Sequence, residues 1–190
     1  MRKIANILTV FRILAAFIII LLLGGNINAV VLTIVFVVFI LAAVSDYFDG
    51  YLARKYQSVS DFGKIMDPVS DKVLIISVFG MFCYLGMFNI FFVLLIALRE
   101  ILITFARLYV LKRKKITIAA GPSGKLKTFI QSLVIVAVFG ALFLEVLDSG
   151  FVYKNSLYYM IINICMMILV AITYISAAFY IKKLRQLITS

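Results

Sequence analysis

Six long apolar stretches, separated by short polar or basic segments, dominate the pattern of this 190-residue chain. They cover residues 5–23, 29–52, 63–84, 88–111, 126–147 and 156–181. Each is about long enough for a helix to cross ~30 Å of hydrocarbon at ~1.5 Å per residue. Because backbone groups in lipid must pair internally, and no barrel-like alternation occurs, helices are favoured. The pattern predicts an all-α polytopic membrane protein, one domain over residues 1–190 with six transmembrane helices.

The charge distribution adds an orientation to this picture. The chain is 65% hydrophobic and carries a net charge of +11, with its basic residues gathered in alternate loops. They lie at the amino end, in the loops at 53–64 and 112–127, and in the carboxyl tail. This positive-inside pattern predicts a multi-pass protein of the cell membrane with both termini cytoplasmic, and basic loops that contact anionic lipid rather than nucleic acid. It also predicts that the first stretch is retained and not cleaved as a signal peptide.

Acidic residues are concentrated in one short part of the chain. Five of the eight lie between positions 46 and 71. Asp46 and Asp49 are one helical turn apart, as are Asp67 and Asp71 on the next predicted helix. The short loop between these helices predicts antiparallel neighbours whose carboxylate faces meet on the cytoplasmic side. Converging carboxylates repel one another unless they are neutralised. Two Mg²⁺ or Mn²⁺ ions ~3.5–4 Å apart would neutralise them and clamp a phosphate for in-line displacement.

Other interpretations of these residues remain open at this point. The carboxylates are also compatible with interhelical ion pairs, for which the nearby basic residues are Arg54, Lys64 and Lys72. Asp61 is off the spacing and is interpreted as a solvated loop residue or a helix cap. Pro68 predicts that the third helix either starts near Asp67 or is kinked there.

The acidic segment carries a specific motif with eight fixed positions, which are Asp46, Asp49, Gly50, Ala53, Arg54, Gly63, Asp67 and Asp71. It reads Asp46-Tyr-Phe-Asp49-Gly50-Tyr-Leu-Ala53-Arg54, then Gly63-Lys-Ile-Met-Asp67-Pro68-Val-Ser-Asp71. This motif resembles the signature of the CDP-alcohol phosphotransferases. Four further segments are similar to the phosphatidylglycerophosphate synthase branch of that family: residues 6–12, 67–72, 99–101 and 124–128.

The resemblance implies a six-helix enzyme, usually a homodimer. It would transfer the phosphatidyl group of CDP-diacylglycerol to glycerol 3-phosphate and release CMP. The charge pattern predicts that this active site faces the cytoplasm. By the family pattern, the ligands of the two divalent ions are Asp46, Asp49, Asp67 and Asp71, and Asp71 is also the general base. The CDP moiety would be bound by Asp49, Gly50, Ala53, Arg54 and Gly63. Asn6 and Thr9, on one side of the first helix, are candidates for the nucleotide end of the pocket, although an interfacial helix is an equal alternative.

A phosphorylated acceptor requires a second basic site. Arg107 shares a helical face with Glu100, and Lys125 and Lys127 lie at the start of the fifth predicted helix. These three basic residues are the candidates for binding the acceptor phosphate, with Arg99 a weaker one. The alternatives are an ion pair between Arg107 and Glu100, and a membrane-anchoring role for Lys127.

Two other kinds of function are compatible with parts of this pattern. The same chemistry with another acceptor would use phosphatidylglycerol, inositol phosphate or serine, and a basic acceptor pocket argues against serine. A divalent-cation transporter would also place carboxylates in the membrane. A non-catalytic scaffold would not depend on them. The clustering of acidic residues at one side of the membrane argues against an ion path.

Overall fold

The computed structural model describes residues 2–56, 61–114, 122–147 and 156–189, and every regular element in these ranges is an α-helix. The helices are α1 (Arg2–Leu23), α2 (Ala29–Tyr56), α3 (Asp61–Tyr84), α4 (Ile90–Lys114), α5 (Pro122–Leu147) and α6 (Ser156–Thr189). Each contains most or all of one predicted apolar stretch. The prediction of an all-α chain with six long helices is therefore confirmed.

Local chemistry explains where the helices begin and end. Asn28 caps α2 by accepting a hydrogen bond from the Val31 amide at 2.9 Å, and Asn89 caps α4 in the same way through the Phe91 amide. At the end of α3, Gly86 adopts a φ of 74°. Its amide donates to the Cys83 carbonyl, and the next amide, that of Met87, donates to the Phe82 carbonyl. This is a Schellman termination, which requires the left-handed conformation that glycine adopts without steric cost.

The sequence predicted that the third helix either starts near Asp67 or is kinked there, and the structure excludes the later start. The helix begins at Asp61 and includes Pro68, so the expectation that it starts near Asp67 is wrong. Asp61 is accordingly the first residue of a helix and not a loop residue. The continuous helix keeps positions 67 and 71 one turn apart, as the motif requires.

The bundle is organised around α1 and α5. α1 packs against both α2 and α3, and α5 packs against α2 and α6. Phe139 of α5 shows the arrangement directly, because its ring contacts Phe36 of α2 and Phe82 of α3 at centroid distances of 5.3 and 4.9 Å. Over the described residues, the main neighbours of α2 are α1 and α5, while those of α3 are α1 and α4. The predicted meeting of the carboxylate faces of α2 and α3 involves side chains outside the described part and stays a prediction.

Buried apolar and buried polar side chains occupy different ends of the bundle. The apolar core is formed mainly by the second halves of α1, α3 and α5 and the first half of α2, for example Ile19, Phe39, Phe79 and Phe139. The buried polar side chains follow or precede this core along each helix: Thr9, Arg12, Ser45, Ser70, Arg99, Glu100, Lys127, Gln131, Thr173 and Ser176. Because successive helices run in opposite directions, these positions all fall at the end where α1 begins. The fold therefore gathers its buried polar groups on one side.

The helices also have the length and composition of membrane-spanning elements. In the described part of the chain, the segments Leu126–Leu147 and Leu157–Lys182 are long and apolar enough to cross a membrane. Shorter apolar helical segments cover Thr9–Leu23 and Ala29–Ser45. Large apolar side chains such as Phe17, Phe105 and Phe179 face outward, as they do in lipid-facing helices. The chain is therefore a membrane protein, and crossing by all six helices remains a prediction.

Candidate active site

Asp71 lies on α3 at the polar end of the bundle. Its carboxylate is about a quarter exposed, and its Oδ2 accepts a hydrogen bond from the Lys72 ammonium at 2.7 Å. The residue before it, Ser70, is fully buried and accepts a hydrogen bond from Arg12 Nη1 at 3.2 Å. Arg12 is itself only 1% exposed. α1 is thus joined by a buried polar contact to the turn of α3 that carries Asp71.

Glu100 lies at the centre of a second group of charges. Lys72 Nζ is 3.2 Å from its Oε2, and Arg99 Nη1 is 3.2 Å from its Oε1. The Lys127 ammonium also contacts Oε1. Glu100 is 1% exposed, so its carboxylate is shielded from solvent. We call Asp71, Lys72, Arg99, Glu100 and Lys127 the charge cluster.

The charge cluster connects four helices. Arg99 extends it to α6, because its Nε donates to the Thr173 carbonyl at 3.1 Å and its Nη2 donates to Ser176 Oγ at 3.4 Å. Lys72 brings in α3, and Lys127 brings in α5. A buried guanidinium with this many partners is well suited to holding helices in register.

The other predicted site residues fall into two groups. Thr9 is fully buried on α1, one turn before Arg12, and Lys127 is nearly fully buried on α5. The remaining positions lie on described helices, but their side chains lie outside the described part: Asn6, Asp46, Asp49, Gly50, Ala53, Arg54, Gly63, Asp67, Arg107 and Lys125. Their proposed roles stay predictions.

Two alternatives from the sequence are resolved by the charge cluster. Lys127 was equally compatible with a membrane-anchoring role, but its burial and its ion pair with Glu100 exclude that role. Lys72 was considered as an ion-pair partner for the acidic motif, and it does pair with Asp71. The sequence reasoning missed Glu100 as the common partner. The available signal was a carboxylate in the middle of an apolar helix, which by default has a specific function or partner.

An apolar cavity of about 250 Å³ lies beside the charge cluster, between α3 and α4. Its walls are aliphatic and aromatic apart from two polar residues, Lys72 and Thr104. Val73, Ile101 and Phe105 line it and are exposed, so it opens on the outer, lipid-facing surface of the bundle. Its lining suits a hydrocarbon chain better than a phosphorylated alcohol.

Comparison with known proteins identifies the family to which this chain belongs. The family model described as CDP-alcohol phosphatidyltransferase matches residues 2–178, which is nearly the whole chain. The chain belongs to this family. It is therefore a transferase of the membrane, and members of the family generally depend on a divalent cation.

Curated relatives give the comparison more detail. A protein of Mycoplasma pneumoniae named CDP-diacylglycerol–glycerol-3-phosphate 3-phosphatidyltransferase is 31% identical, with 98% of this chain and 89% of that protein covered. A Rickettsia typhi protein of the same name is 36% identical, covering 82% of this chain and 84% of that one. A probable phosphatidylglycerophosphate synthase of Mycobacterium tuberculosis is 37% identical over 70% of this chain and 64% of its own length. The resemblance inferred from the motif is thereby confirmed at the level of the family.

Proposed function

We propose that this enzyme transfers the phosphatidyl group of CDP-diacylglycerol to glycerol 3-phosphate, releasing CMP and forming phosphatidylglycerophosphate for phosphatidylglycerol synthesis. The observation that carries the proposal is the similarity, over most of the chain, to relatives named for this reaction. Two lysines agree with it, because a phosphorylated acceptor needs cationic partners: Lys72, which pairs with Asp71, and Lys127, which is buried against Glu100.

The reaction assigns a role to each group of the acidic motif. A glycerol hydroxyl oxygen forms a bond to the phosphorus of the phosphatidyl group, the bond from that phosphorus to the CMP oxygen breaks, and the hydroxyl proton passes to Asp71. Asp46, Asp49, Asp67 and Asp71 would hold two Mg²⁺ or Mn²⁺ ions. Asp71 is the member of this set whose side chain the structure describes. It fits the role, since its carboxylate is partly exposed at the polar end of the bundle. Bound ions would supply positive charge to the phosphate groups during the transfer.

The two substrates are assigned to different parts of the polar end. The CDP moiety is bound by Asp49, Gly50, Ala53, Arg54 and Gly63, with Asn6 and Thr9 at the nucleotide end. The burial of Thr9 one turn from Arg12, which contacts the turn before Asp71, supports a place for α1 in that pocket. The acceptor phosphate is bound by Arg107, Lys125 and Lys127. The burial of Lys127 against Glu100 supports its share in this site.

The membrane arrangement follows from the same assignment. All six helices cross the cell membrane, both termini are cytoplasmic, and the active site faces the cytoplasm, where the two soluble compounds of the reaction reside. The enzyme acts as a homodimer. One acyl chain of CDP-diacylglycerol enters laterally through the α3–α4 cavity, whose apolar lining reaches Lys72 beside Asp71.

The reaction is tested by measuring CMP release from CDP-diacylglycerol by the purified full-length protein with Mg²⁺ or Mn²⁺. The acceptors are glycerol 3-phosphate, phosphatidylglycerol, inositol phosphate and serine. We expect release with glycerol 3-phosphate, and a decrease of about 10³-fold in Asp71→Asn because the general base is removed.

A matched control is Asp61→Asn, the same substitution on the same helix but off the motif, which should keep its activity. Preference for another acceptor would retain the family chemistry and refute the assigned substrate. Absence of CMP release with every acceptor, together with Mn²⁺ uptake into proteoliposomes, would instead indicate a cation transporter.

A further inference from the structure

One buried carboxylate, that of Glu100, contacts cationic groups from three different helices. The contacting atoms are Lys72 Nζ, Arg99 Nη1 and the Lys127 ammonium, two of them at 3.2 Å. One cation is enough to neutralise one carboxylate, and each additional buried cation costs free energy of desolvation. The surplus of cations around Glu100 therefore indicates a role beyond neutralising it.

Arg99 is explained by structure alone. Its remaining donors bind the Thr173 carbonyl and Ser176 Oγ, so it ties α4 to α6 while pairing with Glu100. The two lysines also join helices, since they link α3 and α5 to Glu100 of α4, but within the described residues these contacts leave some of their N–H donors unused. Lys72 pairs with Asp71 and Glu100, and Lys127 pairs with Glu100, among the residues that the structure describes.

The ammonium groups of the two lysines have N–H donors that make no contact within the described residues. An ammonium group carries three N–H donors. Within the described residues, Lys72 uses two of them and Lys127 uses one, so three remain between them. An anion with several oxygen acceptors would satisfy these donors.

We propose that Lys72 is a further phosphate-binding residue of the acceptor site, and that Glu100 is the positioning residue that holds Lys72 and Lys127 together there. This rests on the proposed function, because the phosphate is that of the acceptor. Lys72 is 24% exposed whereas Lys127 is 4% exposed, so Lys72 is the lysine that an incoming ligand meets first. Since Lys72 also contacts Asp71, a phosphate bound to Lys72 lies close to the proposed general base.

The first test compares Glu100→Gln and Lys72→Gln with the wild-type enzyme in steady-state kinetics. Glutamine at position 100 keeps the size of the side chain but removes the charge that holds two ammonium groups together. We expect KM for glycerol 3-phosphate to rise about tenfold in each variant, with KM for CDP-diacylglycerol changed by less than about twofold. Lys72→Arg, which keeps the charge, should restore most of the affinity. Glu145→Gln, at the opposite end of α5, is the matched control and should behave as wild type.

A structural ion pair would give a different result. It predicts a lower melting temperature and less active protein in Glu100→Gln, with both KM values unchanged, and that outcome overturns the proposal. A double-mutant cycle adds a second criterion. If Lys72 and Glu100 act on the same phosphate, the double variant raises KM for glycerol 3-phosphate by much less than the product of the single effects. Simple multiplication of the two effects would contradict a shared role.

A labelling experiment on the wild-type protein keeps the proposal testable if the variants do not fold. An amine-reactive reagent is applied with and without glycerol 3-phosphate or glycerol, and modification of Lys72 is read by mass spectrometry. We expect protection by glycerol 3-phosphate and none by glycerol. Equal labelling in all samples, from an enzyme that converts glycerol 3-phosphate, overturns the role of Lys72 alone. Failure of the wild type to use glycerol 3-phosphate overturns the proposed function as well, so the two failures are distinguishable.

Discussion

At the scale of single residues, the main physical constraint is the burial of charge inside a membrane protein. Arg99, Glu100 and Lys127 are each less than a tenth exposed, and an unpaired ion there would cost several kcal/mol. Among the described residues the structure meets this constraint by pairing, with Glu100 as the shared partner of three cations. Substitution of the residues in the charge cluster should therefore cause the largest decreases in the free energy of unfolding.

The contribution of this pairing to stability can be measured by substituting Arg99. Arg99→Gln removes the charged partner of Glu100 and weakens the contacts to Thr173 and Ser176 of α6. Because Lys72 and Lys127 still neutralise Glu100, we expect a loss of about 2 kcal/mol in the free energy of unfolding rather than the larger cost of an orphaned ion. Unfolding in mixed micelles, followed by helical circular dichroism, gives the value. Lys182→Gln, at an exposed position of α6, is the control, and an equal loss in both variants would contradict a specific role for Arg99.

At the scale of helices, the ends are set by local chemistry and the interiors by apolar composition. The turn between α3 and α4 shows this most clearly, since Gly86 closes α3 with a Schellman motif and Asn89 opens α4 with a side-chain cap. This turn fixes the antiparallel approach of the two helices that bring Lys72 and Glu100 together. The geometry of the charge cluster thus depends on a turn at the far end of the same helices.

Two glycines of this region provide a matched pair of variants. Gly86→Ala places a Cβ on a backbone with φ of 74°, and we expect it to destabilise the fold by about 1 kcal/mol. Gly80→Ala lies within α3, where an added Cβ would meet nothing within 4 Å, and should be neutral or stabilising by up to about 1 kcal/mol. Melting temperatures of the two purified variants in detergent provide the comparison. A loss of stability in Gly80→Ala with none in Gly86→Ala would contradict this account of the turn.

At the scale of the whole molecule, the fold separates an apolar half from a half with a buried polar interior. The α3–α4 cavity lies in the polar half and opens toward lipid next to Lys72. A site that joins a lipid-bound substrate to a water-soluble one needs this combination, because the acyl chains stay in the bilayer while the phosphate groups react among polar side chains. Among the described features, the cavity is the one that could hold an acyl chain while that chain stays in contact with the bilayer.

Filling this cavity tests its role in binding the lipid substrate. Ile101→Trp places an indole ring in the cavity. For each acyl-chain methylene group that this ring displaces, we expect KM for long-chain CDP-diacylglycerol to rise about fourfold. A dihexanoyl analogue, whose chains are too short to fill the cavity, should be used with nearly unchanged KM. Ile161→Trp, at a similarly exposed position of α6 away from the cavity, is the control. Equal effects on long- and short-chain substrates would contradict acyl-chain binding there.

The positions of the six helices were predictable from the sequence because they depend on local properties. Apolar runs of membrane length end at residues such as Asn28, Gly86 and Asn89, so their bounds can be found without knowledge of tertiary contacts. The spacing of Asp67 and Asp71 was predictable for the same reason, since helical periodicity places them on one face once the helix is known to continue through Pro68. The motif that contains them was sufficient to indicate the family.

The partners of the buried charges were decided only by the tertiary structure. These helices are apolar on nearly all sides, so periodicity does not say which face of one meets which face of another. Over the described residues, α2 packs mainly against α1 and α5, and α3 packs mainly against α1 and α4, which the sequence pattern did not specify. The meeting of Lys72, Glu100 and Lys127 depends on the rotation and depth of three helices in the bundle. The sequence determined which residues occur on each helix, and the packing of the helices determined which of them share a site.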